Sequence, residues 1–223
     1  MSESFSTSGR LDAEYYQKKY EELLGRLSSF KCMKLGEIVF ITKSIEPGSV
    51  YYGNEGIPFV RVSNITKFGI QPPEMKIPAS IVQPYLFPKR DTILLSKDGS
   101  VGIAYKVEED LKSITSSALL HLSVRCHVLP DYLTLILNSI VVQMQAERDA
   151  GGSIIQHWKP SEIEDVIIPI LDDDMQQQIT DDIRYSFELR HKSEWLLEAA
   201  KRAVEIAIED GEDKAMNWLG INT

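Results

Sequence analysis

Phe59-Val-Arg-Val-Ser-Asn-Ile65 and Leu94-Leu-Ser-Lys-Asp-Gly-Ser-Val-Gly-Ile-Ala-Tyr105 are the two stretches from which the fold is read. Each is an apolar run that breaks into small polar and basic residues, as a buried strand does when it delivers side chains to a ligand through its exit loop. Alternation along the first stretch turns Phe59 and Arg61 to one face and Val60 and Val62 to the other. Ser63, Asn64 and Lys67 follow in the exit loop. In the second, Lys97, Asp98 and Ser100 ride on a turn in which Gly99 and Gly102 let the backbone approach closely.

Outward from these stretches, the chain from Gly36 to Gly102 is punctuated by glycines and by Pro58, Pro72-Pro73, Pro78, Pro84 and Pro88, between short β-branched runs. That spacing predicts an irregular β-domain rather than a helix bundle. Strands are expected at 37–42, 57–62, 92–96, 103–107 and 118–124, with two more short ones at 154–158 and 166–170. Before the block, Leu11 to Leu27 reads as a helix capped by Asp12, with Tyr16, Tyr20, Leu23, Leu24 and Leu27 three and four residues apart. Leu129 to Arg148 reads as one helix packed on the sheet, with Asp131 as its N-terminal cap and Tyr132, Leu135, Ile136, Ile140 and Met144 recurring at helical period. Gly151-Gly152 breaks it.

From Asp172 to about Asp210 the periodicity predicts a single long helix, its N-terminal dipole favoured by Asp172, Asp173 and Asp174. Ile179, Ile183, Leu197, Val204 and Ala207 fall on one narrow seam at steps of three and four, interrupted by Ser186, Arg190 and Ser193. Such a seam is expected to bury against another helix as a coiled coil. Gly211 marks the end, and Trp218 and Leu219 form a short apolar tail. The expected organisation is therefore an N-terminal helical segment (1–30), a β-rich domain with packed helices (31–171), a long spacer and dimerisation helix (172–212) and a tail (213–223). The fold class is α+β.

Composition narrows the function classes. The 223-residue chain is 43% hydrophobic and 26% charged, with no apolar run long enough to span a membrane. Its polar N-terminus lacks the order of a signal peptide, and two distant cysteines, Cys32 and Cys126, fit reduced thiols in a cytoplasmic protein. The net charge of −9 argues at first against nucleic acid, but its distribution is uneven. Residues 34–128 carry eleven basic and nine acidic groups, whereas residues 171–223 carry six and thirteen. The β-rich block is left slightly basic, so modest DNA affinity that falls steeply with salt is compatible with the chain.

Catalytic constellations are absent from the sequence pattern. His121, His127, His157 and His191 show neither HExxH spacing nor paired carboxylates, and no GxxxxGK[ST] or GxGxxG occurs. Cys126 beside His127 suggests a nucleophile and base, but strand neighbours point to opposite faces. A recognition surface accounts for more of the residues. Arg and Lys donate to guanine edges or phosphates, and Asn pairs with adenine. After the glycine break, Ser153, Gln156, His157, Trp158 and Lys159 form a third polar-aromatic cluster, in which Trp158 reads as core.

These segments together resemble a specificity (S) subunit of type I DNA restriction-modification enzymes, and one half of such a subunit. The resemblance is carried by Arg10-Leu-Asp-Ala-Glu-Tyr-Tyr16, Lys34-Leu-Gly-Glu-Ile38, Gly56-Ile-Pro-Phe-Val-Arg-Val62, and Asp91-Thr-Ile-Leu-Leu-Ser96 with Gly99-Ser-Val-Gly102. Gly152-Ser-Ile154, Ile167-Ile-Pro-Ile170 and Gln176-Gln-Gln-Ile179 complete it. The resemblance implies one target recognition domain and one spacer helix, where the family usually has two of each. It implies a non-catalytic protein that reads a half-site of a bipartite double-stranded DNA target and docks on DNA adenine methyltransferase (M) subunits and restriction (R) subunits. It also implies either a half subunit that pairs with a copy of itself through the long helices or one half of a larger protein, and no cofactor, metal or membrane. The DNA-facing residues expected on this basis are Lys43, Arg61, Ser63, Asn64, Lys67, Lys97, Ser100, Gln156 and His157. The competing expectation is a truncated assembly protein that acts through its helices and no longer reads DNA.

Overall fold

The computed structural model describes residues 12–150 and 156–222, with side chains to residue 220. Two compact units divide the chain, 1–177 and 178–223. The first contains every described strand.

Its centre is a four-stranded antiparallel sheet in the order β2 (Val39–Lys43), β10 (Leu119–Val124), β7 (Ile93–Ser96) and β8 (Ala104–Lys106). The continuous apolar runs Ile93-Leu-Leu95 and Leu119-Leu120 are explained by burial on both faces: each of these residues is fully enclosed. Leu94 and Leu119 pack with Val60, Ile65 and Val107 in one cluster. Val60 closes strand β3 (Ile57–Val60), which lies between β6 (Lys76–Ile77) and the parallel β9 (Ile114–Thr115). Ile65 opens the small hairpin of β4 (Ile65–Thr66) and β5 (Gly69–Ile70). A neighbouring cluster of Phe59, Ile77, Leu86 and Ile114 fills the other side of β3.

Gly56, in the Gly-Ile-Pro-Phe-Val phrase, shows why that residue type is required there. Its φ is +109°, and a Cβ added to it would lie 2.2 Å from the Ile77 carbonyl oxygen.

Two side-chain amides finish the edges of sheets. Asn138 accepts from the Ala104 amide (3.1 Å) and donates to the Ala104 carbonyl (2.7 Å), so it takes the place of a further strand beside β8. Gln145 is buried and does the same at β11 (Ile167–Pro169), accepting from the Ile167 amide at 2.8 Å and donating to its carbonyl at 2.9 Å. Strand β11 pairs antiparallel with β1 (Cys32–Lys34), so the two ends of the domain close on each other. Gln176, fully buried, accepts from the Leu129 amide and donates to the Leu171 carbonyl. The first glutamine of the Gln-Gln-Gln run thereby ties the start of the long helix to the domain.

Several sequence expectations are corrected. The leading helix, α1 (Lys18–Leu27), starts later than expected, and Gln17 rather than Asp12 occupies its cap position. Residues 12–16 form turns instead, with the Tyr15 ring 5.1 Å from the Arg148 guanidinium; Leu11 lies outside the described residues. The first expected strand begins with a helical turn, α2 (Leu35–Ile38), because Leu35 and Ile38, three apart, are both fully buried. The single helix expected over 129–148 is two, α3 (Pro130–Leu137) and α4 (Ile140–Ala150), interrupted where Asn138 turns to β8. Asp131 is not a cap. It is 4% exposed and pairs with the Lys106 ammonium at 2.8 Å, while Leu129 holds the cap position without a side-chain bond. The Gly151-Gly152 break and the start of the expected 154–158 strand lie outside the described residues. From Gln156 to Trp158 there is only one bridge, His157 to Asp98. A short helix, α5 (Pro160–Glu164), precedes β11.

The long helix α6 (Asp173–Asp210) has 38 residues, about 57 Å at 1.5 Å each. Asp172 caps it by accepting from the Met175 amide at 2.9 Å. The second unit, from residue 178, is helical over its described length apart from Gly211. Ion pairs three and four residues apart lace its surface, among them Arg190–Glu194, Glu198–Lys201 and Arg202–Glu205. Of the seam residues, Ile179, Ile183 and Ala207 are half-buried, while Leu197 and Val204 are 61% and 59% exposed. Gly211 (φ +96°) ends α6 as expected, but the expected apolar tail is a further helix, α7 (Glu212–Asn222).

Candidate nucleic-acid interface

The strand directions gather loops at one end of the β-rich unit. Strands β2 and β7 both run antiparallel to β10, so they run parallel to each other and end together, at Lys43 and Ser96, where β10 begins at Leu119. Strands β3 and β9 are parallel and end at Val60 and Thr115, and the Ser116 amide donates to the Val60 carbonyl at 2.8 Å. Residues 116–118 then feed β10. The C-terminal ends of four strands therefore meet at one rim, and Arg61, one residue beyond Val60, stands exposed on it.

Each loop on the rim is held by specific bonds. The glycine turn after β7 is stapled by Ser96, whose hydroxyl donates to the Ser100 carbonyl (2.6 Å) and accepts from the Ile103 amide (2.8 Å). Gly102 has φ +86° and packs on Gln143, whose amide donates to the Gly102 carbonyl at 2.8 Å. At the other side of the turn, Lys97 N–H donates to the Ala118 carbonyl (2.9 Å), Gly99 N–H to Gln156 (3.0 Å) and Trp158 N–H to Lys97 (2.8 Å). Asp98 accepts from the Lys97 ammonium and meets Nδ1 of His157. Trp158, fully buried, anchors the segment, which fits the reading of it as core. Glu46 accepts from the Ser117 hydroxyl and the Tyr52 phenol, each at 3.0 Å, and so bridges the loop after β2 to the 116–118 turn.

The structure thus brings Lys43, Arg61, Ser100, Gln156 and His157 to one rim; Gln156 is half-buried there and the other four are exposed. Lys97 differs from its expected role. It is 7% exposed and its charge is engaged by Asp98, so it supports the turn rather than reaching outward. Ser63, Asn64 and Lys67 lie further along the chain from Arg61, on the way to and at the tip of the β4–β5 hairpin. Asn64 is half-buried and its side-chain oxygen accepts from the Arg61 amide at 2.9 Å, which fixes the turn. Lys67 at the hairpin tip is exposed, its ammonium 5.0 Å from the Phe68 ring. Ser153 lies outside the described residues.

Phe68, 48% exposed at the hairpin tip, was not singled out by sequence reasoning, and Asp98 was placed on the glycine turn but not among the DNA-facing residues. The signal for the first was available: Thr66-Lys-Phe-Gly69 between two isoleucines is a two-residue hairpin loop. The Asp98–His157 contact joins residues 59 apart, and nothing local announces it.

Cys126 and His127 lie in a bend after β10 rather than on a strand. The Cys126 thiol points to the Ile38 carbonyl at 3.8 Å. Among the described residues no three His, Cys, Asp or Glu side chains are grouped as metal ligands, and no helix is long and apolar enough to cross a membrane.

This is the fold of a type I restriction-modification S subunit. The chain superposes on the S subunit from M. genitalium with a TM-score of 0.60 at 15% identity, covering 81% of this chain and 45% of that one. The HsdS subunit from Thermoanaerobacter tengcongensis gives 0.52 at 18% identity, covering 89% and 51%. The type IIG restriction endonuclease BpuSI gives 0.58 at 12%, covering 82% and 30%. The chain spans about half the length of the S subunits it resembles. No protein-family profile matches the sequence. No curated protein matches it either.

Proposed function

We propose that this chain is a non-catalytic DNA-recognition subunit, reading one half of a bipartite double-stranded target through the rim of its β-domain. The single observation that carries this reading is the convergence of loops from β2, β3 and β7 at one end of an S-subunit fold, with Lys43, Arg61, Ser100 and His157 exposed there. Arg61 and Lys43 supply donors for guanine edges or phosphates. Gln156 and His157 supply polar groups of the kind that read base edges, and Ser63, Asn64 and Lys67 extend the surface along the β4–β5 hairpin. Lys97 acts from beneath, through Asp98.

A second copy of the chain supplies the other recognition domain and the other spacer helix. In this reading the seam of Ile179, Ile183, Leu197, Val204 and Ala207 supplies the contact, and two-fold symmetry makes the target an interrupted palindrome. The acidic helices dock the methyltransferase subunits, and a restriction subunit joins where one is present. Adenine methylation and cleavage belong to those partners.

A mobility shift with methyltransferase present tests the reading. A discrete complex on some duplexes and not on others of equal length is expected. Assembly with methyltransferase but equal affinity for every duplex would favour the assembly-protein alternative.

A further inference from the structure

An acidic side chain on a surface that meets phosphates lowers affinity by charge alone. Asp98 nevertheless sits in the glycine turn on the rim, with its side chain 29% exposed. One carboxylate oxygen takes the buried Lys97 ammonium and the other takes Nδ1 of His157. Around it, Gly99 N–H donates to the Gln156 carbonyl at 3.0 Å and Trp158 N–H to the Lys97 carbonyl at 2.8 Å. Two chain segments distant in sequence are thus locked in one antiparallel register, with Asp98 opposite His157. Ser100 is on one segment, and Gln156 and His157 are on the other.

We propose that Asp98 is a positioning residue for base reading: through Lys97 and His157 it holds the glycine turn and the 156–158 segment as one rigid surface. The inference rests on the DNA-reading function proposed above. It carries a sign opposite to the electrostatic expectation. Neutralising Asp98 loosens specific binding, because a misplaced donor costs more than one removed repulsion gains.

The test uses the full chain with its methyltransferase and two probes: the duplex that the wild-type assembly enriches from a random-sequence pool, and a random-sequence duplex of equal length. Asp98→Ala is expected to weaken the first by about tenfold, roughly the loss of one well-placed hydrogen bond, while binding the second as well as before or better. Asp98→Asn, which keeps an acceptor oxygen, recovers part of the lost ratio. The double variant Asp98→Ala/His157→Ala binds the enriched duplex no worse than the weaker single variant, because the two act as one unit. Asp98→Asn carries the test alone if Asp98→Ala does not fold.

A gain in affinity for both duplexes with either variant, or strictly additive losses, would overturn the inference while the DNA-reading proposal stands. Failure of the wild-type assembly to enrich any duplex would remove both.

Discussion

Arg61 leaves β3 where that strand meets the 116–118 turn, so its backbone is fixed by buried neighbours while its side chain stays exposed. A long donor on a rigid base is what base reading requires. Arg61→Ala is expected to weaken binding to the preferred duplex by about 1–3 kcal/mol with little change on random duplex; competition binding with both probes checks it. His121 makes a different prediction. It is buried between strands, its Nε2 2.7 Å from the Thr115 hydroxyl, and burial lowers its pKa from 6.5 to about 4. The unfolded chain therefore binds a proton more readily than the folded one. The stabilisation is complete above pH 6.5 and is lost progressively as the pH falls toward 4, to a total of about 3 kcal/mol. Denaturant unfolding of wild type and His121→Gln at pH 7 and 4.5 measures it, the variant losing less stability between the two. Equal losses would contradict the account.

At the scale of elements, the domain is held by polar contacts that replace missing strands and by buried charge pairs, the Lys106 network among them. Lys106, on β8, joins Asp131 at the start of α3 (2.8 Å) and Glu108 (3.2 Å). Burial opposes its charge, but the two carboxylates outweigh burial and raise its pKa. Asp131→Ala removes the buried carboxylate and leaves Lys106 with the half-exposed Glu108, so it should destabilise the domain by about 1–3 kcal/mol. Thermal or denaturant unfolding reads this directly, and a loss below 1 kcal/mol would refute the assignment.

The same elements show what the sequence could and could not reveal. The order of β2, β3, β7, β8 and β10 and the long helix was legible, because buried strands and amphipathic helices write their periods into apolar residues. The break at Asn138 was not, since its cause is a tertiary bond to Ala104, and the apolar period runs on across it. Asp131 carried a capping residue's identity, yet burial beside Lys106 decided its role. Of the rim, Arg61 and the glycine turn were legible as loop chemistry. The engagement of Lys97 by Asp98 was not, because composition does not disclose which charges are already paired.

At the scale of the whole molecule, the exposed apolar side chains on the long helix set the next expectation. Leu197, Val204 and Ile208 are 61%, 59% and 81% exposed, an arrangement suited to burial against a second helix. Light scattering of the purified 25.2 kDa chain is expected to give about 50 kDa, twice the chain mass, if that helix is another copy. Charged substitutions at Leu197 and Val204 would return it to the monomer mass. A monomer at every concentration would place the seam's partner on another protein.

The central claim is that this chain reads DNA as one of two symmetric halves. Enrichment of random-sequence duplexes by the chain with its methyltransferase tests it most directly. The account predicts two short inverted half-sites separated by a fixed gap of unselected sequence. Recovery of no shared sequence, despite stable assembly with the methyltransferase, would contradict it.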